Sequence, residues 1–267
     1  MIYGVSSIIL FSGFIIGALL VVSLIKKEQS EYLKLFLFCG MVVPTVLTTV
    51  FLAAATVAEN QSSVTGGPVH WHADFQIYSC DQPVKLKEPT GLSNRIGTPL
   101  LHEHGDNRIH VEGTVQDLAH VNLGNFFTAI GGQLTDTALL VPTDNGDFLM
   151  QNGMNCPESP SPLQGEGGGE VSLQIFVYKA DETTKTITQE KLTNLPSYVL
   201  SPSSKVPPGD CIIIEFGQVK TATDQMCTFY KVALKNGEYS YSPPRAVPAE
   251  ASGVGQEEGS GEVNRGN

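Results

Sequence analysis

The chain is poor in basic residues. It carries 16 Lys and Arg against 27 Asp and Glu, and the region from Glu59 onward carries 13 against 25, a formal charge of −12. A field of this sign disfavours phosphate backbones and anionic headgroups, whereas it attracts cations. The charge balance therefore predicts that nucleic acid is not a partner.

Several motifs of enzymes and redox proteins are also missing. The sequence has no glycine-rich phosphate loop, no nucleophile elbow and no cofactor-binding loop, and none of its five cysteines forms a C-x-x-C pair. A thiolate zinc site and a thioredoxin-like motif are thus not indicated. Histidine is absent outside one window, since all six histidines lie between His70 and His120.

Two apolar runs near the start, Val5 to Ile25 and Leu35 to Ala58, hold 21 and 24 residues. Each is long enough to cross a bilayer as a helix. The first run lacks the basic start and the small-residue cleavage site of a signal peptide, so we expect a retained two-span anchor in contact with membrane lipid.

The orientation of this anchor follows from its basic residues. Lys26, Lys27 and Lys34 lie in the loop between the runs, and no other Lys or Arg occurs before Lys85. Basic loops stay in the cytoplasm. We therefore predict a two-span protein of the cell membrane, with both termini and the large domain outside the cytoplasm.

Four cysteines lie in this predicted outer region, where disulfides form and persist. They are Cys80, Cys156, Cys211 and Cys227. We expect two disulfides, but four cysteines allow three pairings and the sequence does not choose among them. Cys80 stays open as a soft ligand for copper.

The first histidine cluster, VHWHADFQIY, spans residues 69–78. Alternate side chains of an extended strand share a face, so a strand here places His70 and His72 together on a polar face. Trp71, the only tryptophan, falls on the apolar face, and we interpret it as a packing residue.

The second cluster, LLHEHGDNRIHVEG, spans residues 100–113 and is typical of a hairpin with a Gly-Asp-Asn turn. Whether its histidines share a face depends on the turn length, because a one-residue change of register swaps faces. If His104 lies opposite His110, then His102 lies opposite Glu112. An even-numbered loop would instead place Glu103 beside His110.

Clustered imidazoles suit zinc, copper, nickel and iron, and a site needs three or four such groups. The predicted metal ligands are His70, His72, His102, His104, His110 and Glu112. We expect one transition-metal ion, copper or zinc, with iron as a third option. Asp74 and Glu103 would orient imidazoles or bind the metal themselves, and His120 is interpreted as a surface residue.

We predict an α+β fold with two N-terminal transmembrane helices, followed by a β-rich outer domain with a mainly antiparallel sheet and one packed helix. The predicted divisions are an anchor at 1–58, a linker at 59–68, an extracytoplasmic metal-binding domain at 69–239 and a disordered tail at 240–267. Within the domain we expect strands at 69–78, 84–87, 100–104, 108–114, 171–179 and 207–217, edge strands at 186–192 and 229–234, a helix at 123–132 and a loop at 143–170.

The order HWHADF, LHEH, RIHVEG and LGNFF resembles that of an uncharacterised family of membrane-anchored prokaryotic proteins, over about Gly66 to Gly217. The resemblance implies a shared site at the six predicted ligands, but no activity. The closing pattern LPSYVLSPSSKVPPGDCIIIEF looks like the end of a β-grasp domain, which is a hint about the fold alone.

Three functions remain open at this stage. The leading hypothesis is a non-catalytic, membrane-tethered metal-binding domain. A metal-dependent hydrolase or oxidoreductase is the second, and it would need an open coordination position facing a pocket. The third is a metal-free surface module whose histidines form a pH-sensitive polar face, and its protein partner is unknown.

Overall fold

The structure is a computed structural model that describes residues 2–26, 28, 30–156, 171–203 and 209–243. Its helices are α1 (Ile2–Ile25), α2 (Glu31–Ser62), α3 (Leu123–Ala129) and α4 (Thr228–Lys235). Its strands are β1 (Pro68–Ser79), β2 (Gln82–Val84), β3 (Ile96–Gly97), β4 (Leu101–Glu103), β5 (Arg108–Thr114), β6 (Gln133–Leu134), β7 (Ala138–Thr143), β8 (Gly146–Gln151), β9 (Val171–Asp181), β10 (Thr186–Lys191), β11 (Asp210–Gln218) and β12 (Ser240–Ser242). The predicted α+β class, with two long N-terminal helices and a mainly antiparallel domain, is confirmed.

Helices α1 and α2 are each long and apolar enough to cross a membrane. They contact one another through the hydroxyls of Ser12 and Thr48, which lie 2.7 Å apart. Helix α2 continues through Pro44 and ends at Ser62, so it extends into the predicted linker. The extra turn is held by polar contacts with the outer domain, including one from the Ser62 hydroxyl to the Gln116 side chain at 3.3 Å.

The large sheet has nine strands in the order β12-β10-β9-β11-β1-β5-β4-β3, with β2 paired to the end of β1. Strands β1 and β11 are parallel neighbours near its centre, and each has an antiparallel partner on its other side. The run Cys211 to Phe216 is buried, as its mostly apolar sequence predicts, and the one charged residue within it, Glu215, is buried as well.

One face of this sheet carries the main core. Helix α3 places Phe126 and Phe127 against it, both with no solvent exposure, and the ring of Phe126 packs edge-on against Phe75. Burying such a side chain contributes about 2 kcal/mol. The side chain of Asn122 caps the start of α3 by accepting from the backbone N–H of Asn125, and Gly131 follows its end with a φ of +90°.

Several predicted elements differ from the structure. The expected edge strand at 229–234 is wrong, because these residues lie in α4. Tyr230 and Ala233 are buried there whereas Phe229 and Val232 are exposed, which is a helical period and not a strand period.

The expected loop at 143–170 is also wrong in its first part, since β8 pairs with β7 and, with β6, forms a separate three-stranded sheet. Residues 157–170 lie outside the described residues. The strand expected at 84–87 is wrong in its bounds, because β2 spans Gln82–Val84 and shares Val84 alone with the prediction. The predicted tail opens with β12, which pairs with β10, and residues 244–267 lie outside the described part of the chain.

Two disulfides join Cys80 to Cys156 and Cys211 to Cys227. They select one of the three pairings that the sequence left open. Because its sulfur is bonded to Cys156, Cys80 is not a soft ligand for copper. The second disulfide fastens the start of α4 to the central strand β11.

Candidate metal centre

Strand β1 brings the first histidine pair to the open face of the sheet. Ala73, Phe75 and Ile77 are buried on the other face, and Trp71 packs against the same core. The predicted alternation is therefore confirmed. In the antiparallel register with β5, His70 lies opposite Glu112 and His72 lies opposite His110.

The hairpin of β4 and β5 places His102 directly opposite His110. Both registers weighed from the sequence are therefore wrong, since neither His104 nor Glu103 lies opposite His110. The observed register differs by two residues from the one that paired His104 with His110, so His102 still shares a face with His110. The turn needs residues that tolerate positive φ, and Gly105 and Asn107 adopt +81° and +57°.

Four histidines from three strands and His104, which directly follows β4, thus lie close together, and His110 belongs to both groups that they form. Within the described residues they form two groups whose ligand atoms lie within 4.8 Å of one another. We call His70, His72 and His110 the outer triad, and His102, His104 and His110 the inner triad. Each group has the donors to hold a metal ion.

Glu112 lies between the two triads. Its Oε1 is 2.9 Å from Nε2 of His70, and its Oε2 is 3.8 Å from Nε2 of His102. The first distance is within the range of a close ion pair, and the second is longer than a hydrogen bond. One carboxylate therefore faces a histidine of each triad.

His102 is buried without the hydrogen bonds that a buried imidazole needs. Its side chain is 1% exposed, and neither ring nitrogen has a hydrogen-bond partner among the described residues. Leaving one such polar atom unpaired costs about 1–3 kcal/mol. Burial also lowers the pKa of His102, which favours the neutral form that binds metals.

Two neighbouring groups fix the rings of other histidines. Nδ1 of His104 lies 2.5 Å from the backbone oxygen of Asn94, and Nε2 of His110 lies 3.4 Å from Oδ2 of Asp106. The remaining nitrogen of His110, Nδ1, is buried and has no partner among the described residues. Partners of this kind select the ring nitrogen that faces a metal.

Sequence reasoning missed Asp106 and Asn94. Asp106 belongs to the turn of the hairpin, four residues before His110. This spacing indicates a contact between the two side chains only when the register of β4 and β5 is known. Burial acts to raise the pKa of Asp106, but the hydrogen bond from His110 and the charges of His110 and Arg108 outweigh it and lower that pKa.

Asp74 and Glu103 have other partners than the predicted imidazoles. Oδ1 of Asp74 accepts from Nε of Arg108 at 2.7 Å, and the guanidinium of Arg108 lies over the ring of Phe229 at 5.0 Å. Oε1 of Glu103 accepts from the backbone N–H of Asn107 at 3.2 Å, so this carboxylate shapes the turn. His120 is exposed in a short 3₁₀ helix, as expected of a surface residue.

The end of α2 is attached to the strand that carries His110. The Thr114 hydroxyl lies 3.4 Å from Oδ1 of Asn60, and Nε2 of Gln116 donates to the backbone oxygen of Glu59 at 3.3 Å. A strand rises about 3.3 Å per residue, so Glu112 lies roughly 7 Å along β5 from the contact at Thr114. The cluster is therefore close to the end of the second apolar helix.

Comparison with known proteins does not assign a function to this site. No protein-family profile, curated protein or solved structure matches the chain. Within the described residues, the donors of the site are five imidazoles and one carboxylate, with no thiolate among them.

Proposed function

We propose that this protein is a membrane-tethered extracytoplasmic protein that binds one transition-metal ion through its clustered histidines. The observation that carries the proposal is His102, which is buried among other imidazoles with both ring nitrogens lacking hydrogen bonds in the described structure. A bound cation would be coordinated by one of these nitrogens, which would offset the free-energy cost of burying that nitrogen.

Copper and zinc are the proposed ions. Neutral imidazole is the ligand that both accept, and the order of stability among divalent first-row metals places copper highest. Iron stays a third option, because two histidines and Glu112 would supply a facial set of two nitrogens and one carboxylate. Calcium and magnesium fit less well, since they prefer oxygen ligands.

The proposed location rests on the two apolar helices, the basic loop between them and the two disulfides. Disulfides persist in oxidising compartments outside the cytoplasm. With Lys26 and Lys34 on the cytoplasmic side, a pair of membrane-spanning helices would leave the domain on the opposite side of the membrane. The metal site would then face the space directly outside the bilayer.

The resemblance to membrane-anchored prokaryotic proteins stays a proposal, as does the β-grasp relationship. The β-grasp relationship is supported by five strands in the spatial order β5-β1-β11-β9-β10. In chain order β1 is the first and β11 the last of these strands, and the two are parallel neighbours. Helix α3 lies between β5 and β9 in the sequence. In such a sheet the cluster occupies the face that α3 does not cover. The fold itself does not indicate a reaction.

The test is metal analysis of the full-length protein in detergent, purified with a tag that contains no histidine. Wild type and the matched control His120→Ala should each hold about one equivalent of copper or zinc, whereas His102→Ala should lose most of it. His120 is a suitable control because it is exposed and outside both triads. Wild type that stays metal-free after incubation with zinc, copper and iron would contradict the proposal and favour the metal-free interaction module.

A further inference from the structure

The site holds more donors than one ion uses. Zinc binds four ligands in closed sites, whereas the two triads and Glu112 offer six groups. The triads are not independent, because His110 belongs to both. Its Nε2 faces Asp106 and its Nδ1 is the nitrogen that remains, so His110 supplies one ligand atom at a time.

The two triads differ strongly in their access to solvent. The side chain of His70 is 57% exposed, whereas that of His102 is 1% exposed. Nε2 of His70 and Nε2 of His72 lie 3.0 Å apart, so the outer triad presents two nitrogens together at the open surface. An ion in the outer triad would therefore be more accessible to an external ligand than an ion bound to the buried His102.

We infer that the cluster is an exchange site with two positions, in which a single ion is loaded and released through the outer triad and held in the inner triad. The inference rests on the proposed function, and it makes the ion a cargo and not a fixed structural component. His110 would remain bound in both positions. The carboxylate of Glu112, which faces His70 with one oxygen and His102 with the other, would accompany the ion between them.

Kinetics of zinc loss separate the two positions. The full-length protein in detergent is loaded with one equivalent of Zn²⁺, and a chromogenic chelator in excess then extracts the ion in a stopped-flow instrument. His70→Ala removes the exposed ligand of the exit route, so we expect extraction to slow by about tenfold or more. His102→Ala removes the buried position, so we expect weaker binding and extraction that is faster by about tenfold or more.

Further variants make this comparison robust. Glu112→Gln should slow extraction, because the amide is a poorer ligand than the carboxylate, and His120→Ala should match wild type. If His102→Ala does not fold by circular dichroism, then His104→Ala replaces it, since His104 belongs to the same triad and is partly exposed.

Failure of the inference can be distinguished from failure of the proposed function. A metal-free wild type contradicts the proposed function. One bound ion, with His70→Ala and His102→Ala both accelerating its loss, overturns only the two-position inference and indicates a single fixed site. Two tightly bound equivalents of Zn²⁺ also overturn it, because the triads would then be occupied together.

Discussion

His102 and His110 stack face to face across the β4–β5 hairpin, with ring centroids 5.4 Å apart and planes inclined by 8°. Burial lowers the pKa of His102, which favours the neutral ring that binds metals. Neither nitrogen of this ring has a hydrogen-bond partner among the described residues. The cost of the unpaired ring to the metal-free protein leads to the first prediction.

His102→Leu should stabilise the metal-free protein by about 1 kcal/mol, because leucine fills the buried position without unpaired nitrogens. Added Zn²⁺ should raise the unfolding midpoint of wild type and leave that of the variant unchanged. Thermal unfolding followed by the fluorescence of Trp71, the only tryptophan, measures both effects. Equal stabilisation of the two proteins by zinc would count against His102 as a ligand, and His120→Leu serves as the control.

Arg108→Leu should destabilise the outer domain by about 3 kcal/mol, since it leaves the carboxylate of Asp74 largely buried without its ion-pair partner. It also removes the guanidinium from the ring of Phe229, which attaches α4 to the edge of the histidine cluster. Denaturant unfolding of the single variant and of Arg108→Leu with Asp74→Asn measures this. The second substitution should restore part of the loss, and a double variant no better than the single one would place the effect in the contact with Phe229.

Alkaline pH should destabilise the domain through its buried tyrosines. Burial raises the pKa of Tyr178 and of Tyr230 far above the ordinary value of 10.0. Above pH 10 the unfolded chain loses these phenolic protons while the folded protein keeps them, so stability falls as pH rises. Each tyrosine contributes up to about 1.4 kcal/mol per pH unit.

Tyrosinate absorbance should check this alkaline effect. The phenols of Tyr178 and Tyr230 are expected to ionise only as the domain unfolds, so part of the tyrosinate signal should appear together with the unfolding transition. Immediate ionisation of every tyrosine in a protein that stays folded would contradict the argument.

Cys227→Ala should destabilise the domain by about 3 kcal/mol, because the disulfide to Cys211 closes a loop with a sequence separation of 16. The substitution also detaches the start of α4 from β11. Denaturant unfolding of the oxidised wild type against the variant tests this expectation. Both proteins are measured again after reduction, which breaks the Cys80–Cys156 disulfide in each and the Cys211–Cys227 disulfide in wild type alone. A difference in stability that disappears on reduction would attribute the effect to the second disulfide, and one that persists would oppose it.

The sequence predicts the parts of the site in which polar and apolar residues alternate without ambiguity. Strict alternation along β1 and the turn residues after His104 indicate both strands and their polar faces. The pairing of His102 with His110 could not be predicted, because it depends on how Gly105 and Asn107 close the turn. The burial of His102 could not be predicted either, since it arises from segments packed over β4 and not from the local pattern.

Helix α4 and strand β8 were harder to predict from the sequence. The residues of α4 include Thr, Phe, Tyr and Val, which favour strands by intrinsic propensity, and the disulfide of Cys227 together with the burial of Tyr230 overrides that preference. The strand β8 lies in a segment with Gly, Asn and Asp, and its pairing with β7 is a tertiary effect. Neither outcome is visible in a local window of sequence.

In the proposed membrane topology, the attachment of α2 to β5 would hold the histidine cluster at a set distance from the bilayer. A flexible ten-residue tether would let a domain sample a span of about 17 Å and turn in every direction. Here Asn60 and Glu59 contact Thr114 and Gln116, so the helix end acts as a spacer of set length. Under the proposed function, a protein that delivers or removes the metal would have to place its own ligands at that distance from the membrane, so the bilayer would limit which proteins can exchange metal with this one.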